Sequence, residues 1–124
     1  MADRHWVGGT ANWDATAGSK WSLTEGGASG EAVPTASDAV FLDAGSGAVT
    51  VTVSGSRVCL SLTCTGFTGT LAGTGGITIS GSMLLVAGMG YTHTGTITFN
   101  ATASLTSGGK TLAALTINTA AITV

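Results

Sequence analysis

The chain has 124 residues, one domain's worth of material, and Gly (20), Thr (22), Ala (18) and Ser (12) supply 72 of them. Only 8% are charged, against about 25% in an average globular protein, which excludes a charge-laced helical bundle and charge-driven disorder. A net charge of −2 gives duplex DNA and anionic membrane nothing to attract, so no nucleic-acid partner is expected.

The first 43 residues carry most of the chemical variety. Met1 to His5 lead directly into a Trp/Gly segment, without the apolar core of about 7–15 residues that a secretory signal needs, and the expectation is a chain made and kept in the cytosol. His5-Trp6-Val7-Gly8-Gly9-Thr10-Ala11-Asn12-Trp13-Asp14 is followed by Lys20-Trp21-Ser22, Val33-Pro34-Thr35 and Ser37-Asp38-Ala39-Val40-Phe41-Leu42-Asp43. All six acidic residues (Asp3, Asp14, Glu25, Glu31, Asp38, Asp43), all three Trp and the single Pro lie here. Indoles bring large apolar faces at little entropic cost, so Trp6, Trp13 and Trp21, with Pro34 and Phe41, are expected to form a cap or attachment interface over residues 1–43. Asp38 and Asp43 fit bends better than catalysis.

From Ala44 to Val124 the charged side chains are Arg57 and Lys110. Val49-Thr50-Val51-Thr52-Val53, Ile77-Thr78-Ile79, Thr96-Ile97-Thr98-Phe99 and Leu115-Thr116-Ile117 alternate apolar and hydroxyl side chains, the period of half-buried strands. Gly or Ser-Gly interrupts every run; Lys110 to Leu115 has room for one helical turn. No apolar run nears the roughly 18–20 residues that span a bilayer, so no membrane insertion is expected. Cys59 and Cys64 stand five positions apart. On a straight strand they point to opposite faces, so buried reduced thiols are expected rather than a disulfide.

The runs look like copies. Val51-Thr-Val-Ser-Gly-Ser56 matches Ile77-Thr-Ile-Ser-Gly-Ser82, and Ile97-Thr-Phe-Asn-Ala-Thr102 matches Leu115-Thr-Ile-Asn-Thr-Ala120. The fourth positions align Ser54, Ser80, Asn100 and Asn118, at offsets of 26, 20 and 18 residues, as a coil-bend ladder whose side chains bond the local backbone. The expected fold is all-β: a right-handed parallel β-helix (solenoid) over residues 44–124 behind the Trp-rich cap. An antiparallel β-sandwich is the alternative, since alternation alone fits both. The chain stops in a strand-like run, Ala121-Ile122-Thr123-Val124, and the expectation is that the coils continue beyond it.

The pattern W-x-G-G-x-x-x-W, a second W-S, and V-P-T-x-x-D-x-V-F-x-D leading into Thr/Val strands resembles the start of tailed-bacteriophage virion proteins of the fibre-like, Gly/Thr/Ser-rich kind. It is also similar to autotransporter-associated β-strand repeat proteins of bacterial surfaces. Ala11 departs from the G-G-T-G form of the opening. The resemblance implies a tail fibre or other appendage built on a parallel β-helix, assembled in the host cytosol, a homotrimer contacting other virion proteins and directed at a host-surface glycan. It brings no catalytic residues and no cofactor. The absence of a leader favours the virion over the bacterial surface, and reduced cysteines fit the same compartment.

Other chemistry is sparse. The coil region lacks the paired carboxylates of hydrolytic β-helices, which leaves a depolymerase fragment with its active residues downstream as a minor reading. His93, between hydroxyls in Tyr91-Thr92-His93-Thr94, has no metal or triad partners in sequence. Ser104 to Thr111 only faintly resembles a phosphate loop, with Ser where Gly is required. Thr-x-Thr pairs begin at 50, 63, 68, 92 and 96, too unevenly for a water-ordering array. Asn100-Ala101-Thr102 is a glycosylation sequon without meaning in a bacterial cytosol. The competing expectation, from a different class, is an adhesin or carbohydrate-binding module with an exposed indole as its stacking platform. No catalytic residue, metal or cofactor is expected.

Overall fold

Short alternating strands bury one face each only if something covers them, and here each is covered by its counterparts in neighbouring turns of the chain. The computed structural model describes residues 2–119 and 121–124. β1 (Asp3–Trp6) and β2 (Ala11–Trp13) begin the first coil, and β3 (Trp21–Ser22) returns to its edge. β4 (Ala39–Phe41), β5 (Thr50–Val53) and β6 (Arg57–Cys59) make the second coil; β7 (Ser61–Thr63), β8 (Thr70–Gly73) and β9 (Ile77–Ile79) make the third. β10 (Met83–Leu84), β11 (Gly90–Tyr91) and β12 (Thr96–Phe99) make the fourth. β13 (Ala103–Thr106) and β14 (Ala114–Ile117) belong to the fifth, and β15 (Ile122–Thr123) follows.

Three sheets result. The long sheet runs β3-β1-β4-β7-β10-β13-β15, the second β2-β5-β8-β11 and the third β6-β9-β12-β14. Every strand pair is parallel except β1 with β3, among the described residues. That pairing excludes the sandwich, whose hairpins would alternate in direction, and establishes the solenoid. In the third sheet Arg57, Ile77, Ile97 and Leu115 stand in register, in steps of 20, 20 and 18 residues. In the long sheet Val40, Leu62, Met83 and Leu105 align in steps of 22, 21 and 22.

The strand period places the core. Val51 and Leu71 in the second sheet, Ile77, Ile79, Ile97 and Phe99 in the third, and Val40, Leu62 and Met83 in the long sheet point inward and are buried. Each such side chain contributes about 1.5–3 kcal/mol. Hydroxyls take most of the outer face, as in the column Thr78, Thr98, Thr116 that follows Val58. The long sheet pairs β4, before residue 43, with β7 beyond it, so the Trp-bearing segment and the coils share one hydrophobic core.

Local details differ from the sequence-based expectations. Lys110 to Leu115 forms no helical turn: Ser107 and Lys110 close a turn (N–H to O, 2.9 Å) and β14 begins at Ala114. A 3-10 turn does occur at Ala44–Ser46, behind Asp43. Cys59 and Cys64 are both free and buried, as expected for thiols. They do not point to opposite faces, because the chain turns a corner between β6 and β7 and brings both inward.

Candidate functional site

The N-terminal end is shut by aromatic packing. Trp6, Trp13 and Trp21 each have 0% exposure. Trp21 stands edge-on to both others, with ring centroids 5.1 Å from Trp6 and 5.5 Å from Trp13, the arrangement that aromatic quadrupoles favour. The sequence produces this through β3, which lays Trp21 opposite Trp6 and Ser22 opposite His5. The Trp6 indole N–H donates to the Gly9 carbonyl at 2.9 Å. Those of Trp13 and Trp21 find no nitrogen or oxygen acceptor among the described residues. Pro34 is buried, and Phe41 is half-buried on the outer side of β4. The exposed stacking platform for a glycan is therefore corrected: with all three indoles fully enclosed, no Trp face is available to a sugar.

Polar residues lock the loops around the indoles. The Asp38 carboxylate accepts from the Thr35 N–H (2.8 Å), the Thr35 hydroxyl (3.0 Å) and the Ala2 N–H (3.1 Å). Burial pushes this carboxyl up, but those hydrogen bonds and the nearby Arg4 charge outweigh it and hold it below its ordinary value. Asp43 pairs with His5 (Oδ2 to Nδ1, 2.7 Å), accepts from the Ser46 hydroxyl at 3.3 Å, and so anchors the 3-10 turn to β1. Phe41 stacks flat on the His5 ring, with centroids 4.5 Å apart. Asp14 accepts from Lys20 and Thr16, which keep its carboxyl well below the usual carboxylate range. Both Asp38 and Asp43 thus act at bends. The His5–Asp43 contact spans 38 positions, and no local sequence pattern marks it.

The coil-bend ladder divides between two corners. Ser80, Asn100 and Asn118 follow β9, β12 and β14, and their N–H groups donate to Cys59, Ile79 and Phe99 carbonyls at 3.1, 3.2 and 2.8 Å. Ser54 follows β5, in the second sheet, and donates to the Trp13 carbonyl at 2.9 Å. It stands at a different corner, so the four are not one column. The position below Ser80 is Leu60, which the matching Val-Thr-Val-Ser-Gly-Ser string hides. None of the four side chains makes a hydrogen bond among the described residues, so the ladder is one of main-chain bonds. The Thr-x-Thr pairs also scatter: Thr50 and Thr52 lie in the second sheet, Thr96 and Thr98 in the third, and the rest straddle corners.

Reactive groups are enclosed or already engaged. Burial pushes both Cys59 and Cys64 thiols up to about 12, far from thiolate chemistry at neutral pH. Lys110 donates from Nζ to the Ala87 carbonyl at 3.1 Å, and the phosphate-loop-like stretch is a coil corner with no helix behind it. The Arg57 side chain opens the inward column of the third sheet, and its buried Nε has no acceptor among the described residues. The described residues hold no group of three or more potential metal ligands, and no helix long and apolar enough to cross a membrane. At the opposite end from the indoles, Leu115 and Ile117 continue buried columns but are 42% and 46% exposed.

The geometry is that of a fibre-like β-solenoid with an N-terminal Trp cluster, a scaffold suited to a structural or adhesive role. No protein-family model, no curated protein and no solved structure matches the chain.

Proposed function

We propose that the chain is a non-enzymatic structural module of a tailed-phage particle, part of a tail fibre or another appendage. The observation that carries this reading is the in-register stack of nearly uncharged coils, shut at one end by three enclosed indoles. A shaft of this kind transmits position through main-chain hydrogen bonds and offers few groups for chemistry. The opening around Trp6 to Asp43 supports the phage assignment by its resemblance to virion proteins. In this reading the capped segment sits against other virion proteins, and the chain forms a homotrimer assembled in the host cytoplasm, carrying a distal region toward a host-surface glycan.

An adhesin built on the same coils is the competing reading, and it differs in location. Antibodies raised against the folded chain, imaged by gold labelling on purified particles and on intact bacteria, separate the two. Label confined to a particle appendage is the expected result. Label on the surface of uninfected cells, or none on particles, overturns the proposal. The mass in solution tests the trimer separately.

A further inference from the structure

Residues 44–124 contain no carboxylate side chain, yet they bury an ionisable ring. His93 lies between β11 and β12, is 2% exposed, and continues the inward column of Trp13, Val53 and Gly73. Glycine makes its position possible. At Gly95 a Cβ would press on the Gly75 carbonyl and come within 2.8 Å of His93 Nε2.

Both ring nitrogens are used. Nε2 lies 2.6 Å from the Gly75 carbonyl oxygen, which only accepts, so Nε2 carries the proton. In the neutral ring Nδ1, 3.2 Å from the Tyr91 hydroxyl, accepts from it. The ring ties the corner after β11 to the corner after β8, one coil below. We propose that His93 is an acid-sensitive clamp between the third and fourth coils: neutral, it joins them; protonated, it loosens them.

The surroundings offer no negative charge to compensate a positive one. Tyr91 faces the ring from its own strand, its hydroxyl pushed up to about 12 by burial and by the neighbouring Cys64. Cys64, after β7, is itself held protonated. The charged groups on the coils around it, Arg57 on β6 and Lys110 after β13, are cations, and Asp43 is engaged by His5. Burial accordingly pushes the imidazole below its ordinary value, with the Gly75 hydrogen bond opposing. The unfolded chain, with histidine near about 6.5, takes up the proton first as pH falls. The stability His93 contributes is therefore complete above that pH and declines as pH falls through it, by up to about tenfold in the folding equilibrium per pH unit.

The test is urea unfolding at pH 8, 7, 6 and 5 for the wild type, His93→Gln and His5→Gln, with imidazole NMR of the wild type. Wild type and His5→Gln should lose up to about tenfold in the folding constant between pH 6 and 5, and His93→Gln should lack that loss. The His93 ring should remain the Nε2–H tautomer at pH 6. An unchanged pH slope in His93→Gln, or a His93 ring that titrates at about 6.5 or above in the intact fold, overturns the proposal. If His93→Gln does not fold at pH 8, the wild-type ring titration decides.

Discussion

Residues 2–43 enclose three indoles and fasten their loops with carboxylates that each collect hydrogen bonds; residues 44–124 repeat small strands and rely on main-chain ladders, with Thr on the outer face. The far end adds a second contrast. Ile97 and Phe99 are buried, whereas Leu115 and Ile117, in the same columns one coil later, are nearly half exposed. From Ile77 and Ile79 onward those columns carry only large apolar side chains, so burial follows from what lies on top. A coil is therefore worth most when covered on both sides, and the indole cap covers the first.

The sharpest break in this comparison is a cap residue against an end residue. Trp21→Ala should cost about 3–5 kcal/mol in urea unfolding, whereas Leu115→Ala, already half-solvated, should cost no more than about 1 kcal/mol. Equal costs would remove the distinction between the ends. Next is the coil backbone. Gly73 has φ +107, and a Cβ there would strike the Val53 backbone one coil below, so Gly73→Ala should lose about 1–3 kcal/mol by the same assay.

A smaller effect should separate the two regions by pH. Asp38→Ala removes three hydrogen bonds to a carboxylate at the cap and should cost about 1–2 kcal/mol at pH 7. Because the folded carboxyl is held below its ordinary value, that contribution is present above about pH 4 and is lost as pH falls further. The gap between Asp38→Ala and wild type should close only below about pH 4, whereas the loss tied to His93 in the carboxylate-free coils begins at about pH 6.5. The smallest effect belongs to the outer face: Thr98→Val should change stability by no more than about 0.5 kcal/mol.

Much of the architecture is legible in the sequence, because the coils use side chains whose period directly encodes facing. Ile77-Thr78-Ile79 and Thr96-Ile97-Thr98-Phe99 announce both a strand and its inner face, and the three Trp announce a sealed end. Two features escaped for physical reasons. The bend alignment joined Ser54 to Ser80 because identical short strings occur at two different corners, while the true predecessor of Ser80 is the apolar Leu60. The roles of His5 and His93 are non-local: one meets Asp43 across 38 positions, the other a carbonyl across 18. Asp43 and Ser46, three apart before a Gly, did carry a readable turn pattern.

In a stacked shaft each coil adds length by one strand spacing. Asp3, Ala39, Ser61, Ser82 and Ser104 occupy successive positions across the long sheet, so four steps of about 4.8 Å separate the first from the last. The native thiols, enclosed and held protonated, should not take up label in the folded protein. Nitroxides placed by Asp3→Cys with Ser104→Cys should give a backbone separation of about 19 Å by pulsed electron resonance, and Asp3→Cys with Ser61→Cys about 10 Å by line broadening. Distances that grow in this proportion support the stacked shaft; equal distances for the two pairs, or a shorter one for the pair farther apart in coils, contradict it.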